Sequence, residues 1–419
     1  MSRSSSTRRG GRLLAAAAAA LTPLAVLAAP ASAAPPDVPA ATEGSVPGAW
    51  IVTLEPGVSP DGVSAEHSRR FEARVDHVYR HAVHGYAARM SDQAAARVAQ
   101  DPQVASVVRD EVVDIAAQTT PTGIDRIDGE LSSTVAGNGG DGVSVDVAVL
   151  DTGIAAHPDL DVRSGKNCTS GKKSTADGHG HGTHVAGTIG AKDDGVGVVG
   201  VAPGARLWAV KVLNDQGSGT RSGIICGVDW VTANRSTIEV ANMSLGGSGT
   251  EPSAPGCSTG DGYHDAICKS VALGVTYVVA AGNSSADSAV HVPAAYDEVI
   301  TVSALADFDG QSGGLGAPSC RADEDDTFAN FSNYGADVDL IAPGVCINST
   351  WPGGGYNAIS GTSMASPHVA GAAALYKATN PTASPAVVKS ALVGAGNLDW
   401  DNGDDGDSVK ETLLNVDAF

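Results

Sequence analysis

Three residues far apart in this 419-residue chain carry the side chains that nucleophilic catalysis needs: Asp151, His181 and Ser363. A serine hydroxyl attacks poorly at neutral pH. It needs an imidazole within hydrogen-bond reach to take its proton, and the imidazole needs a carboxylate to fix its tautomer. Asp151 follows the apolar run VDVAVL and precedes Thr152-Gly153, so it would be a rigid, partly desolvated carboxylate at a strand end. His181 lies in DGHGHGTHVAG, where Gly178, Gly180 and Gly182 let backbone approach closely and a helical pattern begins near Thr183. A helix N-terminus disfavours the imidazolium, which predicts a base with depressed basicity. Ser363 lies in ISGTSMASPHVAGAAALY, at the start of a small-residue helix with Pro367 and Gly371. The positive end of such a helix favours a developing oxyanion. Plainer readings exist: Asp151 as a turn cap, Ser363 as an N-cap. His179 and His184 compete with His181, and His179-x-His181-x-x-His184 also has the spacing of zinc ligands.

These side chains need a scaffold. From about Thr119 the chain alternates apolar strands (VSVDVAVLD, ARLWAVKVL, IEVANMSLG, GVTYVVAAGN) with helical stretches (GTHVAGTIGA, SGIICGVDWVTAN, a helix to Leu273). That alternation predicts an α/β fold with a doubly wound, mostly parallel sheet, whose functional loops lie at the carboxyl ends of the strands. Asp151 and Asn283 both end strands. A helix over about Ser384–Val393 and a short apolar strand, LLNVDAF, close the chain. Before this region, residues 49–115 read as strand–helix–strand–strand–helix–strand, a small α+β ferredoxin-like unit.

The order Asp, His, Ser is one of several in which the same geometry recurs. VLDTGI, GHGTHVAGTIG and GTSMASPHVAG resemble the three signature segments of the subtilase family. VKVLNDQGSGT, NMSLGG, AAGNSS and FSNYGADVDLIAPG resemble its proteinase-K-like branch. The resemblance covers about 119–419. It implies a serine endopeptidase with Ser363 as nucleophile, His181 as base and Asp151 as orienting acid. Asn283 would be the side-chain donor of the oxyanion hole, and His184 and His368 structural. It further implies that Gly217-Ser218-Gly219 pairs with the substrate backbone. Ser244-Leu245-Gly246 and Ala280-Ala281-Gly282 would wall a roomy pocket for apolar or aromatic residues. Residues 49–115 resemble an inhibitor-type propeptide, with autocatalytic cleavage at Ile115–Ala116 and a peptidase domain over 116–419. The comparison also implies a structural Ca2+ held by Asp339 and the carbonyls of Asp297 and Val299. No cofactor enters the chemistry.

Bulk properties fit an exported enzyme. Arg3, Arg8, Arg9 and Arg12, the run LLAAAAAALTPLAVLAA and Ala31-Ser32-Ala33 form a secretory signal over 1–33. A Pro- and Ala-rich linker follows over 34–48. Polypeptide substrates and the chain's own propeptide are the expected partners, with no membrane partner once the signal is removed and a monomeric enzyme. A net charge of −21 repels a nucleic-acid backbone, so no nucleic-acid partner is expected. The acidic runs Asp323–Asp326 and Asp401–Asp407 read as solvated loops. All six cysteines follow the signal, an even number suited to three disulfides. Many pairings are open, and shortest loops would join Cys257 to Cys268 and Cys320 to Cys346, leaving Cys168 to Cys226. Two other functions compete: a zinc hydrolase, and a peptide-binding protein without turnover.

Overall fold

The computed structural model describes residues 38–39, 45–111, 118–140, 142–170, 174–401, 405–407 and 409–419. The signal sequence and the Ile115–Ala116 bond lie outside them. The chain divides into two compact units, Met1–Asp114 and Ile115–Phe419.

The first unit runs β1 (Ser45–Leu54), α1 (Pro60–Phe71), β2 (Arg74–Tyr79), β3 (Gly85–Arg89), α2 (Asp92–Val98) and β4 (Val104–Glu111). This is the element order read from the sequence. The strands form one antiparallel sheet in the order β2-β3-β1-β4. Alternate residues Trp50, Val52 and Leu54 of β1 point into a core shared with Val63, Ala95 and Val98 of the helices. Ser91 caps α2 by accepting from Ala94 N at 3.2 Å.

The second unit begins with a short helix, α3 (Thr122–Asp125), then β5 (Asp146–Asp151), β6 (Asp161–Asn167), α4 (His181–Gly190), β7 (Arg206–Lys211), α5 (Arg221–Ala233) and β8 (Val240–Met243). Next come β9 (Gly247–Ser248), α6 (Gly262–Ala272), β10 (Thr276–Ala280), β11 (His291–Val292), β12 (Ile300–Ala306), β13 (Thr327–Phe328) and β14 (Leu340–Pro343). A hairpin, β15 (Ile347–Trp351) and β16 (Gly355–Ile359), leads into α7 (Thr362–Thr379) and α8 (Pro385–Ala395). The central sheet has the order β13-β12-β10-β8-β5-β7-β6, with β14 beside β12, and every pair is parallel except β12–β13. β5 is buried along its whole length, which is why the stretch between its two terminal aspartates, VAVL, is wholly apolar. Val147 and Val149 pack against α4 and α7, while Ala148 and Leu150 pack against α5 and α6. Helices therefore cover both faces.

Some expectations change. LLNVDAF is not a strand; Leu413 makes only isolated bridges, to Ile341 and Asn397. β6, β12 and β14 were not foreseen. Asp323, Asp325 and Asp326 are buried, not solvated. Their carboxylates accept backbone N–H groups of Asn330, Phe308, Gly316, Gly313 and Gly314. Arg126 lies 2.8 Å from Asp326 and 3.1 Å from Asp307. The acidic run thus folds its own loop onto backbone N–H groups, with Asp326 paired to Arg126 and Asp323 to Arg321 at 2.9 Å. The disulfides are Cys168–Cys226, Cys257–Cys268 and Cys320–Cys346, as the shortest-loop pairing proposed.

Candidate active site

The sheet order sets the location. From β5 the sheet grows to one side through β7 and β6 and to the other through β8, β10 and β12. The carboxyl end of β5 is therefore the point where winding reverses, the usual ligand site of an open α/β sheet. Asp151 is the last residue of β5, His181 the first of α4, and Ser363 the second of α7; Asn283 follows β10.

The Asp151 side chain is fully buried, and that of His181 is 20% exposed. Nδ1 of His181 sits 2.8 and 2.9 Å from the two Asp151 oxygens. Such contact requires an Nδ1–H tautomer, which leaves Nε2 as the acceptor. Gly182 makes the approach feasible: a Cβ there would meet the Gly153 carbonyl at 2.2 Å and Asp151 at 3.1 Å. Asp177, buried and not singled out by sequence, ties the turn together. Its carboxylate accepts from Thr152 Oγ1, from the N–H groups of His179, Gly180 and Thr183, and from Thr183 Oγ1. Burial opposes charge on His181, yet Asp151, by charge and hydrogen bond, and then Asp177 outweigh it and hold the imidazole above its ordinary value. The depression expected from the helix end is not found, because the two carboxylates more than offset burial.

On α7, Pro367 lacks the N–H that would bond the carbonyl of Ser363 four residues back. Ser244 Oγ supplies the missing donor at 2.7 Å. Asn242 Nδ2 in turn donates to Ser244 Oγ at 2.9 Å, and Ser366 Oγ donates to Asn242 Oδ1 at 2.7 Å. These buried bonds fix the first turn of the helix. The Ser363 hydroxyl itself donates to the Ser244 carbonyl at 3.3 Å, so in this rotamer its proton is given to that carbonyl. Asn283 Oδ1 accepts from Thr362 N at 2.8 Å and from Thr362 Oγ1 at 3.0 Å, which assigns the amide orientation. The spot a Cβ would occupy on Gly361 lies 3.6 Å from both Asn283 Nδ2 and Ser363 N. The two groups therefore flank one small space beside Gly361.

A cavity of about 590 Å³ is lined by His181, Gly217, Ser218, Gly219, Ser244, Leu245 and Gly246, as expected for a substrate cleft. His179, Arg221, Ile224, Tyr263 and Val292 line it too; helical spacing had hidden Arg221, Ile224 and Tyr263 inside α5 and α6. Ala280, Ala281 and Gly282 do not line it. Ala280 and Ala281 are buried behind, with Ala281 N donating to Val302 O at 2.9 Å.

The zinc alternative fails on the same geometry. His184 Nε2 faces the carbonyls of Ile347 and Asn357 at 2.8 and 3.1 Å, and burial pushes its imidazole down to about 4. His368 Nδ1 donates to Met364 O at 2.8 Å, and burial likewise takes it to about 4. Both are structural, as anticipated.

The expected calcium ligands share a contact. Asp339 Oδ1, Val299 O and Asp297 O do converge, but on the ammonium of Lys389, at 2.8, 2.9 and 3.4 Å. These are nitrogen–oxygen hydrogen-bond lengths, and Ca2+ would need six to eight oxygens at about 2.3–2.6 Å. The donor set is filled by the chain's own cation. Among the described residues, Asp307, Asp309 and Asp325 form another group whose carboxylates lie within 4.8 Å of one another.

Comparison with known proteins follows this geometry. The profile "Subtilase family" matches residues 140–409 and "Peptidase inhibitor I9" matches 49–116. The chain belongs to the subtilase family. This subtilase is 43% identical over 309 residues to subtilisin DY of Bacillus licheniformis, covering 72% of this chain and 99% of the relative. It is 42% identical over 301 residues to the M-protease of Shouchella clausii, covering 71% of each. The extracellular serine proteinase of a Thermus species is 41% identical over 358 residues, 81% of this chain and 78% of the relative. A crystal structure of a cold adapted subtilisin-like serine proteinase superposes with a TM-score of 0.58 at 35% identity, covering 72% of this subtilase and 99% of that chain. The chain is thus a subtilisin-like serine endopeptidase preceded by an inhibitor-type domain.

Proposed function

We propose that Ser363, His181 and Asp151 are the catalytic triad of an exported endopeptidase that removes its own propeptide. The Ser363 hydroxyl rotates about Cα–Cβ from the Ser244 carbonyl toward His181 Nε2. The proton passes to Nε2 as Oγ bonds to the scissile carbonyl carbon. The carbonyl oxygen takes the negative charge and receives hydrogen bonds from Asn283 Nδ2 and Ser363 N. Collapse breaks the C–N bond, and His181 returns the proton to the leaving amine. Water then repeats the sequence on the acyl-enzyme. Asp151 stays ionised throughout and holds the tautomer.

The observation that carries this reading is the buried Asp151 carboxylate on His181 Nδ1 at 2.8 Å, beside a cleft that the same ring lines. The small residues Gly217–Gly219 and Ser244–Gly246 leave that cleft open, which supports broad cleavage after apolar or aromatic residues. The match of an inhibitor-type profile to 49–116 supports a propeptide that restrains the enzyme until Ile115–Ala116 is cut. Export by a signal over 1–33, a linker over 34–48 and a monomeric enzyme over 116–419 complete the reading. Structural calcium belongs to it, as is common in subtilases.

A fluorophosphonate probe tests the assignment. Peptide mapping of the labelled, active enzyme is expected to find the adduct on Ser363 and a new N-terminus at Ala116. An active preparation that stays unlabelled, or one labelled at another serine, defeats it.

A further inference from the structure

Asp339 immediately precedes β14 and faces the start of β12. Its Oδ2 accepts from Thr301 N at 2.9 Å, and its own N–H donates to Thr301 O at 2.9 Å. Only Oδ1 is left for another partner. Val299 and Asp297 belong to the turn that enters β12, and Val299 O is aimed at the same space. Lys389 reaches that space from α8, whose Val388 and Leu392 are buried in the core and anchor the helix. The side chain is long enough to lay its stem over the surface and bring its head inward. An ammonium has three N–H donors, and Asp339 Oδ1, Val299 O and Asp297 O are three acceptors, so donors and acceptors match in number.

The surrounding charge calls for a cation. Asp297, Asp337 and Asp339 are acidic residues of the two turns that meet Lys389, and its ammonium stands 2.8 Å from Asp339.

We propose that Lys389 is a built-in counter-cation that occupies, and so closes, a divalent-cation site at Asp339, Val299 O and Asp297 O. A tethered ammonium supplies its charge intramolecularly. It needs no bulk ion, and its effective concentration at the site is set by the chain alone. A free divalent cation must displace it and gain only the difference. At this site the enzyme is indifferent to calcium, whatever other sites hold. The inference does not depend on the triad assignment.

The test measures the calcium increment, meaning Tm in millimolar calcium minus Tm in chelator. It uses processed enzyme blocked with a fluorophosphonate so that autolysis does not intrude. Lys389→Gln is expected to raise the increment by about 5 °C, since a newly opened site gains ligand-linked stability. The extra increment should vanish in the Lys389→Gln/Asp339→Asn double variant. Asp339→Asn alone should lower Tm in both solutions and leave the increment as in the parent. A Lys389→Gln variant without added calcium response overturns the proposal. So does an Asp339→Asn variant that loses part of the parent's increment, because calcium would then already bind at Asp339 with the lysine displaced. Each reading is a difference within one variant, so a general loss of stability does not mimic either result.

Discussion

Two carboxylates in the second unit, Asp151 fully buried and Asp339 half-buried, each hold a nitrogen at 2.8 Å: Asp151 holds His181 and Asp339 holds Lys389. The pairs look alike in a list of contacts, yet their surroundings give them opposite uses. His181 keeps a second ring nitrogen beside an open cleft, so its proton has somewhere to go. Lys389 turns its head into two backbone carbonyls and the carboxylate, so its charge is pinned. A partner that titrates near neutrality serves turnover; one that stays charged serves stability.

Variants at the two pairs should therefore separate cleanly. Ser363→Ala is expected to cost about 10⁶-fold in kcat, the scale found when a subtilisin is stripped of its serine, and the chain should accumulate with its prosegment uncut, visible by intact mass. Asn283→Ala should cost about 10²–10³-fold in kcat with KM little changed, read on a peptide substrate; equal losses in both constants would deny it an oxyanion role. Asp177→Asn should lower kcat by roughly 10–100-fold through a loosened His181 turn and also move the pH profile. Because carboxylates hold His181 above its ordinary value of 6.5, kcat/KM should rise with pH through a midpoint above about 6.5. Removing the Asp177 charge should shift that midpoint to lower pH, an outcome that a merely structural role would not produce. At the small end, Lys389→Gln should leave kcat within about twofold while lowering Tm in chelator; a tenfold loss of kcat would erase the distinction between the pairs.

Legibility in the sequence differed for the same reason. Asp151, His181, Asn283 and Ser363 each sit where a periodic element starts or stops, and strand ends and helix starts leave strong local patterns. The alternation of β5, α4, β7, α5, β8, α6 and β10 was readable because buried parallel strands are continuous apolar runs. Lys389 was not readable beside Asp339. It lies on another element, and two of its three acceptors are carbonyls, which every residue carries. Arg126 and Asp326 are 200 positions apart, so the acidic run looked solvent-bound. The direction of the His181 shift was misjudged because the pull of Asp151, and after it of Asp177, is set by how the chain folds and not by the helix that His181 begins. For Ala280–Gly282 the motif was found, and folding leaves Ala280 and Ala281 buried.

The three disulfides all lie in the second unit, and the first contains no cysteine at all. Its small core must hold without any covalent staple, and domains of that size are marginal on their own. If the chain is severed between its units as proposed, the leading fragment would be left with noncovalent packing alone, while the remainder would keep all three cross-links.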